Sequence, residues 1–214
     1  MKEYDAYLFD ADGTILDTRE LIYRSFAHMG RVMGAAMPDR DFVESTVGLI
    51  LSTQLRMILG PGHDEDYYAR ATEEYRGYMN DNFRAHLATF PGAAEVLAEL
   101  HGRGKKLAVV TSRRMTTLGV FLDFLDLRRY FTVLVTPEST QAHKPDPEPA
   151  LLALRELGAV PERSVFVGDA IFDIKCGAAA GMDTAFVEWG GMDPSDWEVR
   201  PSFIAKVFSD LLPV

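Results

Sequence analysis

The chain contains 214 residues, of which 47% are hydrophobic, and its formal net charge is −10 at pH 7. This length accommodates one large domain or two small ones, and the acidic charge disfavours nucleic acid and anionic membrane surfaces as partners. The sequence shows neither the apolar run of about 20 residues that spans a bilayer nor the start of a signal peptide. Its only cysteine, Cys176, excludes an intrachain disulfide, so we expect a protein of the reducing cytoplasm.

The first predicted strand is the apolar run at residues 7–9, which precedes the stretch Asp10-Ala11-Asp12-Gly13-Thr14. Two carboxylates, separated by one residue, therefore stand where this strand ends. An Asp-Gly turn is the ordinary interpretation of such a pattern. A functional site is the alternative, and the rest of the chain distinguishes the two.

Helical patterns fill residues 16–88, where no strand-like run occurs. The patterns lie at residues 20–33, 39–47, 52–59 and 64–83, separated by breaks rich in glycine and proline at 34–38, 48 and 60–62. We therefore predict an all-helical insert of residues 16–88 after the first strand of a core formed by residues 1–15 and 89–214. The insert has the right size for a lid over the carboxyl edge of the core's sheet.

Strands and helices alternate from about residue 90 onward. Apolar runs predict further strands at residues 107–110, 133–135, 165–167 and 185–187. These runs lack polar alternation, so both faces of the sheet should be covered. Helical patterns at residues 92–100 and 148–157 lie between them. A proline near the start of each pattern and a glycine after the second are typical of helix ends. This order predicts an α/β fold with a doubly wound parallel sheet.

The carboxyl edge of this sheet, where ligands bind in open parallel sheets, collects the polar residues that follow the strands. These residues are Asp10, Asp12, Thr111, Ser112, Arg113, Lys144, Asp169 and Asp173. Several carboxylates at one place repel one another and lose hydration unless a cation neutralises them. Aspartate and backbone oxygens without a cluster of His or Cys favour a hard ion, Mg²⁺.

Four stretches of the chain resemble, in order, the four motifs of the haloacid dehalogenase superfamily of phosphohydrolases. They are Asp10-Ala11-Asp12-Gly13-Thr14, Thr111 at the end of an apolar strand, Lys144 before a proline, and residues 168–173. The resemblance covers essentially the whole chain, and the helical insert has the place of the cap in one branch of the superfamily. It implies a Mg²⁺-dependent enzyme that acts on a small phosphorylated metabolite. We expect this enzyme to be a monomer or a homodimer.

The resemblance implies roles for the carboxylates. Asp10 resembles the nucleophile that attacks phosphorus in line and forms an aspartyl-phosphate. Asp12 resembles the general acid that protonates the leaving oxygen and then deprotonates the hydrolytic water. The implied ligands of Mg²⁺ are Asp10, the backbone carbonyl of Asp12, and Asp169.

Other residues are implied to bind the phosphoryl group or to position its partners. Lys144 offsets the charge of the transferring group, while Thr111 and the backbone N–H of Ser112 bind one of its oxygens. Asp173 orients Lys144 or a metal-bound water. Arg113 is a further candidate for phosphate binding.

Position 12 separates the members of the superfamily. Aspartate there resembles phosphomonoester hydrolases, pyrophosphatases and phosphomutases, whereas dehalogenases have an aromatic residue. Beta-phosphoglucomutases contact the sugar phosphate with a Lys-Gly-Val-Ser-Arg run in the cap, and the corresponding residues 47–51 carry no cation here. The chain therefore most resembles the phosphoglycolate phosphatases. The alternatives are an inorganic pyrophosphatase, a beta-phosphoglucomutase-like enzyme and a catalytically silent binding domain.

Substrate specificity is expected from the insert, because the core contacts are used on the phosphoryl group that all substrates share. We predict that Gly48 supplies a backbone turn beside the substrate. Arg56 is the candidate that, if it reaches inward, would pair with a carboxylate or second phosphate on the leaving group; a solvated position on the helix face is the alternative. Arg24 and His28 are further candidates for this contact.

Overall fold

The computed structural model describes residues 1–37 and 39–213. In chain order the strands and α-helices are β1 (Ala6–Phe9), β2 (Leu16–Asp17), α1 (Arg19–Met33), α2 (Arg40–Ser45), α3 (Leu51–Leu59), α4 (Glu65–His86), β3 (Ala88–Thr89), α5 (Ala93–Gly102), β4 (Lys106–Val110), α6 (Met115–Phe124), β5 (Val133–Val135), α7 (Glu148–Leu157), β6 (Ser164–Gly168), α8 (Ile171–Ala179), β7 (Asp183–Val187) and β8 (Phe203–Ala205). Within the described ranges, none of the helices has the length and apolar character that a membrane crossing requires.

All neighbouring strands of the main sheet run parallel, in the order β5-β4-β1-β6-β7-β8. In the middle of the sheet, Phe9 of β1 lies opposite Val109 of β4 and Val167 of β6. The neighbouring residues Tyr7 and Leu8 belong to two different apolar clusters, because successive side chains of a strand point to opposite faces. Both faces are therefore covered, and the predicted α/β fold with a doubly wound parallel sheet is confirmed.

The predicted strands correspond to β1, β4, β5, β6 and β7, with ends that differ by no more than two residues. Helix α6 and strand β8 are not among the elements expected from the sequence. Strand β8 is short and lies beside β7 at the end of the strand order. Of its residues only Ala205 is buried, while Ile204 remains 45% exposed. So short a strand leaves little pattern in the sequence.

Four helices, α1 to α4, form the insert. Helices α1 and α4 pack against each other, with the rings of Phe26 and Tyr75 4.5 Å apart. The predicted helical patterns differ from the observed helices by up to three residues at their ends. Gly34 ends α1 with a φ of +64°, which agrees with the predicted break at 34–38. Pro38, in the same break, lies outside the described residues.

Two short strands close the base of the insert. Strands β2 and β3 pair antiparallel, with Leu16 opposite Thr89 and Asp17 opposite Ala88. The expected absence of strands from residues 16–88 is therefore wrong at both ends of the segment. The pairing satisfies backbone groups where the two connections leave the core, and two residues are too few to show a periodic pattern.

Candidate active site

Backbone hydrogen bonds fix the turn after β1. The N–H of Asp10 donates to the carbonyl of Val167 at 2.9 Å, and the N–H of Leu16 donates to the carbonyl of Ala11 at 2.8 Å. Gly13 permits the reversal with a φ of +81°, a left-handed conformation that other residues rarely adopt. The two interpretations of the Asp-Gly pattern are therefore compatible, because the turn is what places the carboxylates at the edge of the sheet.

Three buried carboxylates meet at this edge, those of Asp10, Asp169 and Asp173. One oxygen of each lies within 4.8 Å of the others. Lys144 Nζ donates to Asp10 Oδ1 at 2.8 Å and to Asp173 Oδ1 at 2.6 Å. One lysine therefore faces three carboxylates, and buried negative charge remains in excess. We call these four residues the acidic cluster.

Burial perturbs the titration of Asp10 and Asp169. Burial raises the pKa of Asp10 to about 7, although the positive charge of Lys144 acts in the opposite direction. Burial also raises the pKa of Asp169, and the neighbouring carboxylates of Asp173 and Asp10 add to this effect. A divalent cation would stabilise the ionised carboxylates, and carboxylate oxygens are preferred ligands of hard ions. The donor set therefore fits Mg²⁺.

Three glycines leave room for the acidic cluster. A Cβ atom on Gly13 or Gly190 would lie 2.2 Å from an atom of Asp169, and one on Gly168 would lie 2.3 Å from Asp173 Cβ. Any larger residue at these positions would displace the carboxylates. Gly190 was not expected at the site from the sequence. The sequence pattern that could have indicated Gly190 is the pair of glycines that follows the last long predicted strand.

Asp169 is oriented by a chain of contacts that begins in the turn after β1. Thr14 Oγ1 donates to Asp169 Oδ1 at 2.9 Å. The indole N–H of Trp189 donates to the carbonyl of Thr14 at 2.9 Å, and its ring stacks on Phe208 with centroids 4.6 Å apart. The Asp169 carboxylate is thus held in place before a ligand binds, which reduces the entropy cost of ordering this side chain on binding.

Asp12 has partners outside the acidic cluster. Arg113 Nη2 donates to Asp12 Oδ1 at 2.6 Å, and Arg113 Nε donates to Oδ2 at 2.9 Å. Thr18 Oγ1 also donates to Oδ1, at 2.6 Å. The two carboxylates of the first motif therefore have different environments, since Asp10 faces Lys144 and Asp12 faces Arg113.

Thr111 and Ser112 follow β4 at the same edge. Thr111 is buried, and its Oγ1 accepts a hydrogen bond from the N–H of Arg113 at 3.1 Å. Ser112 Oγ donates to the carbonyl of Gly48 at 2.6 Å, which joins the core to the insert. Gly48 has a φ of +98°, and a Cβ there would lie 3.2 Å from Ala170 Cβ. The structure thus brings Gly48 beside the residues predicted to bind phosphate.

A cavity of about 510 Å³ lies between the insert and the core. From the core, its walls include Asp10, Asp12, Thr111, Ser112, Arg113 and Arg114. From the insert, they include Gly48, Leu49, Gln54, Tyr75, Arg76 and Asn80. The cavity volume is typical of sites for small molecules. The predicted nucleophile, the predicted acid and the predicted phosphate-binding residues therefore share one cavity.

The structure does not bring Arg56 to this cavity, which corrects the expectation from the sequence. Arg56 Nη2 donates to both carboxylate oxygens of Glu65, at 2.8 and 2.9 Å, and the side chain is half-exposed. Arg24 is similarly paired with Glu20 on the surface. His28 lies near Glu74. Among the described residues of the insert, Arg76 of α4 is the cation that lines the cavity.

Comparison with known proteins identifies the family. The sequence profile of the haloacid dehalogenase-like hydrolases matches residues 7–187. The chain belongs to this family. Two similar relatives are the pyrophosphatases PpaX of Bacillus pumilus (strain SAFR-032) and Bacillus cereus (strain AH820). Each is 33% identical over 208 residues, which cover 97% of this chain and 94% of the relative.

Solved structures agree with this assignment. A haloacid dehalogenase-like hydrolase from Bacteroides fragilis has a TM-score of 0.90 and 26% identity, covering 98% of this chain and 100% of that one. A predicted phosphoglycolate phosphatase from Haemophilus somnus 129pt has a TM-score of 0.88 at 21% identity, covering 98% and 97%. A beta-phosphoglucomutase from Clostridium difficile has a TM-score of 0.84 at 20% identity, covering 98% and 93%. At these lower identities the likeness shows the fold alone.

The family match confirms the resemblance predicted from the four motifs. Together with the pyrophosphatases among the relatives, it also confirms the prediction of an enzyme with phosphatase activity. A catalytically silent binding domain is therefore disfavoured.

Proposed function

We propose that this enzyme is a Mg²⁺-dependent phosphatase that hydrolyses a small anionic phosphate compound through an aspartyl-phosphate. The environment of Asp10 carries the proposal. This carboxylate lines the cavity, accepts a hydrogen bond from Lys144 at 2.8 Å and belongs to the acidic cluster. A carboxylate nucleophile needs such a position, because it must contact phosphorus while nearby positive charge offsets that of the phosphoryl group.

In the first step, Asp10 attacks the phosphorus and the bond between phosphorus and the leaving oxygen breaks. Lys144 contacts Asp10 Oδ1, so Oδ2 is the oxygen assigned to the attack. Thr111 Oγ1 and the N–H of Ser112 donate to the phosphoryl oxygens. Asp12 gives a proton to the leaving oxygen, which therefore departs without a full negative charge.

In the second step, a water molecule attacks the phosphorus of the aspartyl-phosphate. Asp12, now ionised, takes a proton from this water, and the bond between phosphorus and Asp10 breaks. Inorganic phosphate leaves, Asp10 is again a carboxylate, and Asp12 is again protonated. The same side chain thus serves as acid and then as base.

Asp10, Asp169 and the backbone carbonyl of Asp12 would hold the Mg²⁺. When bound, the ion supplies positive charge beside the phosphoryl group and offsets the excess charge of the acidic cluster. Asp173 has a positioning role, because it accepts from Lys144 at 2.6 Å and from the N–H of Ala170 at 3.0 Å. It thereby keeps the lysine ammonium group on Asp10.

We further propose that residues 16–88 act as a cap on a core of residues 1–15 and 89–214. The insert supplies one wall of the cavity, and β2 and β3 form its paired connection to the core. Movement about this connection would admit substrate and release product. Closure would exclude water from the phosphoryl group and strengthen its electrostatic contacts.

Pyrophosphate and 2-phosphoglycolate are the favoured substrates. The cavity is compact, and Arg76 and Arg113 line it, so a second negative group on the substrate would meet positive charge. The names of the relatives that are 33% identical support pyrophosphate. A cytoplasmic location and a monomeric or homodimeric state remain predictions from the sequence.

A beta-phosphoglucomutase-like reaction is the second candidate. The absence of cations from residues 47–51 argues against it, because a mutase must hold a second phosphate. Arg76 weakens this argument, since it brings a cation to the cavity from α4. The choice between hydrolysis and transfer therefore requires an assay.

The assay follows phosphate release by the purified protein from pyrophosphate, 2-phosphoglycolate, glucose 1-phosphate and glucose 6-phosphate, with Mg²⁺ or with EDTA. We expect Mg²⁺-dependent hydrolysis with the highest kcat/KM for pyrophosphate or 2-phosphoglycolate. An Asp10→Asn preparation is the control for contaminating phosphatases. Formation of glucose 6-phosphate from glucose 1-phosphate with catalytic bisphosphate would identify a mutase instead. A hexose phosphate as the best hydrolysed substrate would retain the phosphatase and reject the proposed specificity.

A further inference from the structure

Arg113 lies between the core and the insert. Its side chain is only 7% exposed and lies 4.5 Å from the centre of the Phe121 ring. Its Nη1 donates to the Sδ of Met79 in α4 at 3.2 Å. The residue also lines the cavity. Because a buried guanidinium keeps its charge, it requires a negatively charged partner.

Asp12 is that partner in the structure. Arg113 contacts both oxygens of the Asp12 carboxylate, and Thr18 contacts one of them as well. In this arrangement both oxygens of Asp12 already accept hydrogen bonds. The proposed function places Asp12 at the leaving oxygen, so Arg113 must exchange its partner when substrate binds.

We propose that Arg113 recognises a negatively charged leaving group, a carboxylate or a second phosphate, by binding it in place of Asp12. The inference rests on the proposed function and names the leaving groups that the same site accepts. Both kinds of anion accept the paired N–H donors that Arg113 now offers to Asp12. The exchange preserves a buried ion pair and frees Asp12, which takes up a proton from the solvent and then donates it to the leaving oxygen.

A neutral leaving group cannot make this exchange. Arg113 would then be buried without a partner if Asp12 left it, which is strongly unfavourable. Asp12 would therefore stay with Arg113, and the ester would react slowly. Arg113 is thus a specificity-determining residue that lies in the core, whereas the sequence analysis predicts that substrate specificity comes from the insert.

Contact with Asp12 distinguishes Arg113 from the other cations of the cavity. Arg114, the next residue, is half-exposed and pairs with Glu138 at 2.8 Å. An anion bound by Arg114 would gain a partner without changing the position of the acid. Recognition by Arg113 is coupled to the release of Asp12, and this coupling can be measured.

The test compares substrates that share a phosphoryl group and differ in charge elsewhere. 2-Phosphoglycolate carries a carboxylate, and 2-hydroxyethyl phosphate has a neutral hydroxymethyl group in its place. Pyrophosphate supplies a phosphate as the leaving group. Values of kcat/KM are measured with Mg²⁺ for the wild type, Arg113→Gln and Arg113→Lys. The matched control is Arg103→Gln, because Arg103 pairs with Glu99 on the exposed surface.

We expect the wild type to prefer 2-phosphoglycolate over 2-hydroxyethyl phosphate by at least about 10²-fold, because the neutral ester leaves a buried polar group unpaired. Arg113→Gln should lower kcat/KM for the anionic substrates by about 10²-fold. It should not lower kcat/KM for the neutral ester, because Asp12 is then no longer held by Arg113. Arg113→Lys should lie between, since it keeps the charge and loses the paired donors. Arg103→Gln should change none of these values.

The two anionic substrates show whether Arg113 recognises a carboxylate or a phosphate on the leaving group. A selective loss on 2-phosphoglycolate assigns a carboxylate to Arg113, and a selective loss on pyrophosphate assigns a phosphate. Equal losses on all three substrates would give Arg113 a merely structural role and overturn the inference. A wild type that hydrolyses the neutral ester as well as the anionic substrates would overturn it too.

Loss of folding would not prevent the test. If Arg113→Gln unfolds, as judged by far-UV circular dichroism, the wild-type preference and Arg113→Lys decide the question. Arg113→Lys without a selective loss would overturn the inference. Failure of the proposed function looks different, because a wild type without it hydrolyses none of the three substrates with Mg²⁺. That result would overturn both the proposed function and the inference about Arg113.

Discussion

Stabilisation of the folded chain by Mg²⁺ should depend strongly on pH. The pKa of Asp10 is raised to about 7 in the folded chain, whereas an unperturbed aspartate has a pKa of about 3.9. The folded state therefore binds the proton more tightly than the unfolded state does. This difference lowers the free energy of unfolding as the pH rises from about 4 to about 7.

The size of the effect follows from this pKa. One pKa unit corresponds to about 1.4 kcal/mol, so ionised Asp10 costs the metal-free fold on the order of 4 kcal/mol at about pH 8. At about pH 5, a cation must displace the proton of Asp10, which weakens its apparent affinity by about 10²-fold. Mg²⁺ at about 100 times its dissociation constant at pH 8 should stabilise the fold by about 3 kcal/mol there, and by less than about 1 kcal/mol at pH 5.

Thermal unfolding measures this difference. For a chain of this size, 1 kcal/mol shifts Tm by about 2–4 °C. MgCl₂ should therefore raise Tm by about 5–10 °C at pH 8 and by about 1 °C at pH 5, relative to NaCl of equal ionic strength. Asp10→Asn is the comparison variant, because it removes the contribution of Asp10 and should make the pH dependence smaller, while Asp169, whose pKa is also raised by burial, keeps its own contribution. A wild-type stabilisation that is equal at both pH values, or larger at pH 5, would refute the reasoning.

Three substitutions, together with one control substitution, test the proposed roles. Asp10→Asn should abolish turnover of p-nitrophenyl phosphate and leave the far-UV circular dichroism unchanged; any turnover by a clean preparation contradicts covalent catalysis. Asp12→Asn should slow hydrolysis of an alkyl phosphate by about 10²–10⁴-fold. It should slow hydrolysis of p-nitrophenyl phosphate less, because that leaving group needs no proton. Equal losses of rate on the two substrates would exclude Asp12 as the acid. Gly190→Ala should displace Asp169 and remove Mg²⁺-dependent activity, since its Cβ would lie 2.2 Å from that residue. The control is Gly77→Ala, which lies in the middle of α4 with nothing within 4 Å of the new Cβ. This variant should keep activity and gain about 1 kcal/mol of stability. Equal activities of Gly190→Ala and Gly77→Ala would contradict the close packing at Gly190.

The fold and the catalytic edge of the sheet could be predicted because they depend on rules that act over short stretches of sequence. Strand β1 is uniformly apolar because it is covered on both faces, and the carboxyl ends of parallel strands share one edge. Asp10, Lys144 and Asp169 come from distant parts of the chain, yet each follows a strand or a loop after one. Their meeting therefore follows from topology alone.

The side chains that face the cavity from the insert could not be predicted in this way. Arg56 and Arg76 are both cations on amphipathic helices, and their sequence contexts do not distinguish them. Arg56 turns to Glu65 at the start of α4, whereas Arg76 lines the cavity. The difference is set by the packing of α3 against α4, a tertiary contact that no local pattern encodes. Gly190 was missed for a similar reason, since only the approach of Asp169 explains why a side chain is excluded there.

The charges of the site also explain why metal binding and substrate binding must be linked. Asp12 and Arg113 neutralise each other, and Lys144 is shared between Asp10 and Asp173. The acidic cluster, when ionised, therefore keeps two negative charges in excess. An anionic phosphate compound would be repelled from this position, although Asp10 must contact its phosphorus in order to react. On the proposed mechanism, a divalent cation would therefore be needed for substrate binding as well as for phosphoryl transfer, because it would offset the two negative charges that remain in excess when the buried Asp10 is ionised.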